Sequence, residues 1–248
     1  MHSSTLIFTL GASLLDLAAA HGYVSGVKVN NAGWFPGADP VWYYLPSGAA
    51  APTTGWNALN QDNGFVAPDS YQTSNIACHK NATAGQLYIN ANAGDSLTFF
   101  WNTWPDTHKG PIINYIAPCN GDCTTKSAAS LSWTKFSEGG YNAGTWVTDT
   151  LIKNNFTSST TIPAKLKAGN YVIRHEIIAL HSAGNDNGAQ NYPQCLNIKV
   201  GGSGSVNPPT GTAATSLYKR TDSGILFDLY RSFTSYPIPG PAVWTGAN

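Results

Sequence analysis

The sequence predicts an all-β protein, a sandwich of two sheets with long loops and short helical segments, and three observations carry that prediction. Its apolar runs are short, β-branched and bounded by Gly, Asn and Pro, and they do not alternate with helices in a βαβ pattern. The 248 residues include 25 Gly and 15 Pro, which supply the turns that many short strands need. A 42% apolar content with a formal net charge of zero suits one globular domain with a substantial core.

Residues 1–20 hold an apolar run ending in three alanines. They read as a secretory signal peptide whose removal leaves His21 first and sends the protein out of the cell. No other stretch approaches the roughly 20 apolar residues of a membrane span, and the scattered 13 Lys and Arg form no basic block for nucleic acid.

From Gly22 to Val29 the pattern is an amphipathic first strand. Residues 31–70 read as ordered loops held by rings such as Trp34, Tyr43 and Tyr44. Strands are expected over 86–90, 96–102, 112–117 and 130–136, and a short helix over 145–154. Residues 162–168 lead through a Gly169-Asn170 turn into the strand that begins at Tyr171. A polar loop ending in Gln190 and Tyr192 then precedes a last strand from Cys195 to Val200. Residues 201–215 have linker composition, but 216–248 is too short for a domain of its own. Its apolar segments at 225–227 and 238–244 predict that it packs back on the same domain, so 21–248 is one unit.

The four cysteines, Cys78, Cys119, Cys123 and Cys195, allow three pairings. The Asn-Gly-Asp insert between Cys119 and Cys123 favours a local bridge, which leaves Cys78 to staple Cys195; a zinc site of four thiolates is the alternative. Asn81 and Asn155 begin Asn-x-Thr sequons and should be exposed if glycosylated.

Histidine carries the candidate chemistry. Once processed, His21 would offer a free α-amine as well as an imidazole, so one residue could chelate a metal through two nitrogens. A second histidine would complete a three-nitrogen site, a donor set that suits Cu(II) with an open position. His108 sits on a polar rim before a strand, a plausible ligand position. His175 and His181 do not have the spacing of a zinc-protease helix; His175 reads as structural, and His181, at the start of the polar loop, as the one that meets a reacting oxygen. A glycoside hydrolase would need two positioned carboxylates; the only glutamates are Glu138 and Glu176, Asp is commoner and Asp106 could pair with any of several residues, but no segment singles out a pair. A non-catalytic polysaccharide-binding sandwich is the other alternative, because rings on a flat face suit stacking on sugars.

His21-Gly22-Tyr23-Val24 behind a signal peptide, the segments 104–111 and 114–123, Arg174 to His181, and Gly188 to Cys195 together resemble the fungal lytic polysaccharide monooxygenases of auxiliary activity family nine, once grouped with glycoside hydrolases. The resemblance runs from His21 to the Ile-Pro-Gly-Pro at 238–241. It implies an immunoglobulin-like or fibronectin-like sandwich with a flat copper face; the Gly/Pro stretch after Val200 is short for that family's linkers and is followed by no cysteine, so no separate carbohydrate-binding module is expected. One copper ion would be held by the His21 amine and ring and the His108 ring, with Tyr192 as axial oxygen. His181 and Gln190 would hydrogen-bond the bound oxygen. It implies bridges Cys78 to Cys195 and Cys119 to Cys123, and it makes Tyr236 an exposed sugar-contacting ring, with Trp34, Tyr43 and Tyr44 as neighbours. The implied activity is oxidative cleavage of cellulose or a related β-1,4-glucan at C1 or C4, by a monomer using O2 or H2O2 and an external electron donor.

Overall fold

A computed structural model describes residues 21–248; the signal-peptide reading falls on residues 1–20, outside the described residues. Two sheets face each other. The four-stranded one is built from β1 (Val24–Val29), β2 (Ala32–Pro36), β4 (Ser96–Trp101) and β9 (Thr157–Thr161), in the order β2-β1-β4-β9. The six-stranded one has the order β12-β6-β5-β10-β11-β3, from β3 (Ile89–Asn92), β5 (Ile112–Pro118), β6 (Ser132–Gly139), β10 (Gly169–Ala179), β11 (Gln190–Gly201) and β12 (Thr212–Ala213). A small hairpin of β7 (Tyr141–Asn142) and β8 (Thr145–Trp146) leads into α2 (Val147–Lys153), while α1 is the single turn Asn75–Cys78.

The element between β1 and the expected loops is a hairpin, because Asn30 and Asn31 take φ of 49° and 60° and close a tight turn into β2. Gly169 and Asn170 are the first residues of β10, paired with Val200 and Lys199, rather than a turn before it. β9, rich in Ser and Thr, carries no apolar alternation for a sequence reading to find. The polar loop is also shorter than expected: Gln190 and Tyr192 lie on β11, opposite Ala179 and Ile177. Pro193 sits inside this strand without breaking it. Main-chain bonds from Asn191 to Val66 and from Asn197 to Thr54 leave through the outer edge, and alternation puts the missing N–H of Pro193 on that same edge.

β10 is buried on both faces, which explains its near-continuous apolar run. Toward the four-stranded sheet, Tyr171, Ile173, Ile177 and Ala179 join Val27, Leu97, Phe99 and Trp101 in the inter-sheet core. On the other face Val172, Ile178 and Leu180 pack with Tyr115, Trp133 and Trp146 under the C-terminal segment. Arg174 belongs to this outer layer and forks onto Glu176 with two bonds of 2.6 Å; Glu176 also accepts from Asn191 Nδ2 at 2.9 Å and Tyr218 Oη at 2.5 Å. Leu217, Tyr218 and Ile225 are buried in the same layer, so the tail packs back as its composition predicts. The 201–215 stretch crosses the surface through the Leu166–Val206 bridge and the pairing of β12 with β6. Both expected disulfides are present, Cys78–Cys195 and Cys119–Cys123. Asn81 and Asn155 are exposed.

Candidate metal centre

One end of the sandwich collects most of the predicted site residues. His21 precedes β1, His108 lies in the loop from β4 to β5, His181 follows β10, and Gln190 and Tyr192 open β11. Because alternate residues of a strand share a face, Gln190, Tyr192 and Gln194 all turn toward β1.

His108 is positioned by its own loop. A turn joins its N–H to the Pro105 carbonyl at 3.1 Å, and Trp104 Nε1 donates to the His108 carbonyl at 2.9 Å. The loop comes so close to β10 that a Cβ at Gly110 would stand 1.8 Å from the Ile178 carbonyl oxygen, so glycine is required there. Thr107 Oγ1 meets His108 Nδ1 at 3.1 Å, leaving Nε2 buried without any hydrogen-bond partner. The ring centroids of His21 and His108 are 5.4 Å apart, and those of His108 and His181 only 3.8 Å. His181 Nδ1 is likewise buried and unpartnered. Burial, reinforced by His181 and His21, lowers the His108 pKa to about 4, so its ring is neutral with a lone pair to give at neutral pH. His21 is also lowered, by burial opposed by the Asp62 charge and a Gln190 hydrogen bond. His181 is lowered by burial and then by His21.

Tyr192 is fully buried, its ring 5.6 Å from that of His21 and inclined by 27°. Its hydroxyl donates to Gln190 Oε1 at 2.7 Å, and burial with the nearby Asp62 charge raises its pKa, so it stays protonated. Phe65 and Trp104 close the surroundings, with Phe65 6.0 Å from the His21 ring and Trp104 5.1 Å from Tyr192. Sequence reasoning did not single out Phe65. It arrives from a loop fastened to β11 by the Val66–Asn191 bridge and to buried His79, whose Nε2 lies 2.9 Å from the Gly64 carbonyl oxygen.

His175 is structural, as expected. It stacks on Phe99 at 4.0 Å, Trp101 Nε1 donates to its Nε2 at 3.1 Å, and Nδ1 lies 2.7 Å from Asn114 Oδ1.

The expected exposed Tyr236 is a correction. It is only 8% exposed, its hydroxyl donates to the Gly224 carbonyl at 2.6 Å, and Phe227 and Trp146 pack against it at 5.0 and 4.9 Å. The segment before it folds over and covers the ring. Tyr43 and Tyr44 are exposed and meet edge to face at 5.5 Å; Trp34 is exposed on the outer side of the four-stranded sheet against Phe100. None of these three rings touches His21, whose ring neighbours are Phe65, His108 and Tyr192. Among the described residues Tyr230, 79% exposed, is the most open large ring, and it was not singled out from sequence.

The donor set fits copper. Among the described residues no three His, Cys, Asp or Glu side chains form a metal cluster. A site of two imidazoles with a main-chain amine is a different arrangement, since its third nitrogen belongs to the backbone of His21. The buried, unpartnered Nε2 of His108 is the atom such a site would use, because an orphaned polar atom at this depth costs stability unless something binds it.

Comparison with known proteins agrees. A family model described as Auxiliary Activity family 9, formerly GH61, matches residues 21–236. The chain is 53% identical over 242 residues to the AA9 family lytic polysaccharide monooxygenase F of Malbranchea cinnamomea, covering 95% of this chain and 97% of that one. The monooxygenase F of Emericella nidulans is 50% identical, covering 93% of each chain. Among solved structures, the glycoside hydrolase family 61 member Cel61B of Hypocrea jecorina superposes with a TM-score of 0.87 at 44% identity, covering 90% of this chain and all of that one. The extended catalytic domain of H. jecorina LPMO9A gives a TM-score of 0.86 at 46% identity, covering 92% of each. By sequence over nearly its whole length, and by a fold that brings two histidines to one end of the sandwich, the chain belongs to Auxiliary Activity family 9, the lytic polysaccharide monooxygenases.

Proposed function

We propose that His21, through its processed α-amine and its ring, and His108, through Nε2, would hold one copper ion, with the Tyr192 hydroxyl as a nearby oxygen, and that the protein cleaves cellulose oxidatively. Membership of the family carries a mononuclear copper centre and makes the chain a copper-dependent oxidoreductase. When bound, the copper supplies one-electron chemistry that activates O2 or H2O2 with electrons from an external donor. The net change at the substrate inserts one oxygen into a C1–H or C4–H bond. With O2, two electrons and two protons from outside convert the other oxygen to water; the hydroxylated carbon then releases the glycosidic bond.

The chain's own residues orient this reaction. Neutral His108 gives its Nε2 lone pair, and Thr107 at Nδ1 fixes the ring plane. Gln190 is held by the Tyr192 hydroxyl and offers its amide beside His21. His181, against the His108 ring, presents a partnerless Nδ1 at which it can exchange a hydrogen bond with the oxygen co-substrate. Tyr43, Tyr44 and Trp34 add exposed rings for the polymer, and Tyr236 does not. Both glutamates are already engaged, Glu176 by Arg174 and Glu138 by Lys135, so a hydrolytic carboxylate pair would have to be drawn from aspartates. We further propose a secreted, monomeric protein in which residues 21–248 form one catalytic unit.

The observation that carries this reading is the orphaned His108 Nε2 beside His21. Intact-mass analysis of secreted protein should find His21 first, and copper-loaded protein with cellulose, reductant and oxygen should yield aldonic acids or C4-ketones by mass spectrometry. Ordinary oligosaccharides alone would favour hydrolysis, and binding without products a non-catalytic module.

A further inference from the structure

The main-chain arm that carries His21 into the site is gripped by two side-chain amides, and we infer that Asn102 and Gln194 are positioning residues whose carbonyl oxygens set where the His21 amine and ring meet the metal. The inference rests on the copper reading above. The ladder between β1 and β4 ends with the pair Val24 and Trp101, so His21 to Tyr23 lie beyond it. There Asn102 takes over with both of its ends. Its N–H donates to the Tyr23 carbonyl at 3.0 Å, and its side-chain Oδ1 accepts from the Tyr23 N–H at 2.8 Å. The amide thus stands in for the strand carbonyl that is missing once the chain leaves the sheet. The next N–H, that of Val24, donates to Gln194 Oε1 at 3.3 Å.

Two consecutive N–H groups are therefore held from two directions by segments that each carry another part of the site. Asn102 begins the loop that delivers His108, and Gln194 shares a strand face with Gln190 and Tyr192. Gly22 lets the arm lie against the first of these, since a Cβ there would stand 2.2 Å from the Thr103 carbonyl oxygen and 3.1 Å from Asn102 Oδ1. An arm held only by the sheet would pivot about Val24, and a ligand at the free end of a pivot moves the most. Sites of this kind tolerate little displacement of a ligand.

Both contacts ask the side chain only for an acceptor, which gives the test its discrimination. Asn102→Ala and Gln194→Ala remove the oxygen, whereas Asn102→Asp and Gln194→Glu keep one. Amide hydrogen exchange at Tyr23 and Val24 in copper-free protein reads the grip itself; copper titration and electron paramagnetic resonance of the Cu(II) form read its effect on the metal. The alanine variants should lose exchange protection at these two amides, weaken copper by about tenfold or more, and alter the Cu(II) spectrum, with the acids restoring all three. Unchanged copper affinity and spectra in both alanine variants would overturn the inference, as would acid variants that behave like alanine. Wild-type protein with one residue added before His21 separates this from the underlying reading. Equal copper affinity in that protein would sink the brace, while the exchange data would still judge the grip.

Discussion

Two buried clusters in this molecule are built around histidine, and they are finished differently. At the centre of the sandwich His175 has Phe99 on its face and a partner for each nitrogen. His79 is equally complete, with Gly64 O at one nitrogen and the Lys80 N–H donating to the other. At the end of the sandwich His108 and His181 are just as enclosed at the critical atoms, yet each keeps one nitrogen with no protein partner. Burial alone does not separate the groups, since all four rings have lowered pKa values from the same leading cause. Satisfaction does. Trp133 Nε1 in the core and Gln61 Nε2 also lack partners, but among these four histidine rings only the two at the end of the sandwich keep an open nitrogen, which leaves that nitrogen available to a ligand.

The largest effect expected from breaking this contrast is at the finished end. His175→Ala strands Trp101 Nε1 and Asn114 Oδ1 in the inter-sheet core and leaves a cavity, so urea denaturation of the copper-free protein should show a loss of roughly 3–5 kcal/mol. Copper affinity of the folded fraction should be unchanged. His108→Ala should do the reverse: copper affinity measured by titration should fall by at least about 100-fold, because even supporting residues around a metal are worth 10–100-fold, while apo stability changes little. A His108→Ala protein with native copper affinity would end the ligand assignment.

Acid should sharpen the comparison further. Burial holds His79 near a pKa of about 4 and His175 near about 3, against about 6.5 for an ordinary histidine. The unfolded chain therefore binds more protons than the folded one between these limits. Stability from these groups is complete above pH 6.5 and is lost as pH falls, at about 1.4 kcal/mol per pH unit for each histidine once the unfolded form is protonated. Denaturation of apo protein across pH 7 to 4.5 should show that slope; a flat profile would mean that one or both rings are not buried as described. The smallest effect concerns the corrected tyrosine. Tyr236→Phe removes only the bond to Gly224 and should lower stability by about 1 kcal/mol without changing cellulose binding in a pull-down assay. Weakened binding would return Tyr236 to the polymer face.

Much of this was legible along the chain because its signals are local. His21 as a potential chelate, the Cys119–Cys123 bridge across an Asn-Gly-Asp turn and the runs of β5 and β10 each depend on a few neighbouring residues. The β-sandwich class follows from the same kind of evidence. Boundaries failed where the deciding partner was remote. Gln190 and Tyr192 look like the end of a polar loop, but pairing with Ala179 and Ile177 draws them into a strand, and a proline that normally ends one is tolerated because its bare nitrogen faces the outer edge. β2 was missed because its turn rests on positive φ at two asparagines rather than on a glycine pair.

What the sequence by itself determined is the set of chemical groups: which histidines exist, that one can begin a processed chain, and that only two glutamates are present. Their division of labour was decided by tertiary structure. Whether an imidazole is finished depends on atoms such as Asn114 Oδ1, 61 positions from His175 in the chain, and the arm that places His21 is held by Gln194, 170 positions from Val24. Tyr236 is covered through Trp146, Phe227 and Gly224, so a ring expected at the surface is buried. Hydrogen-bond satisfaction and exposure are properties of neighbours in space, and a linear pattern does not carry them.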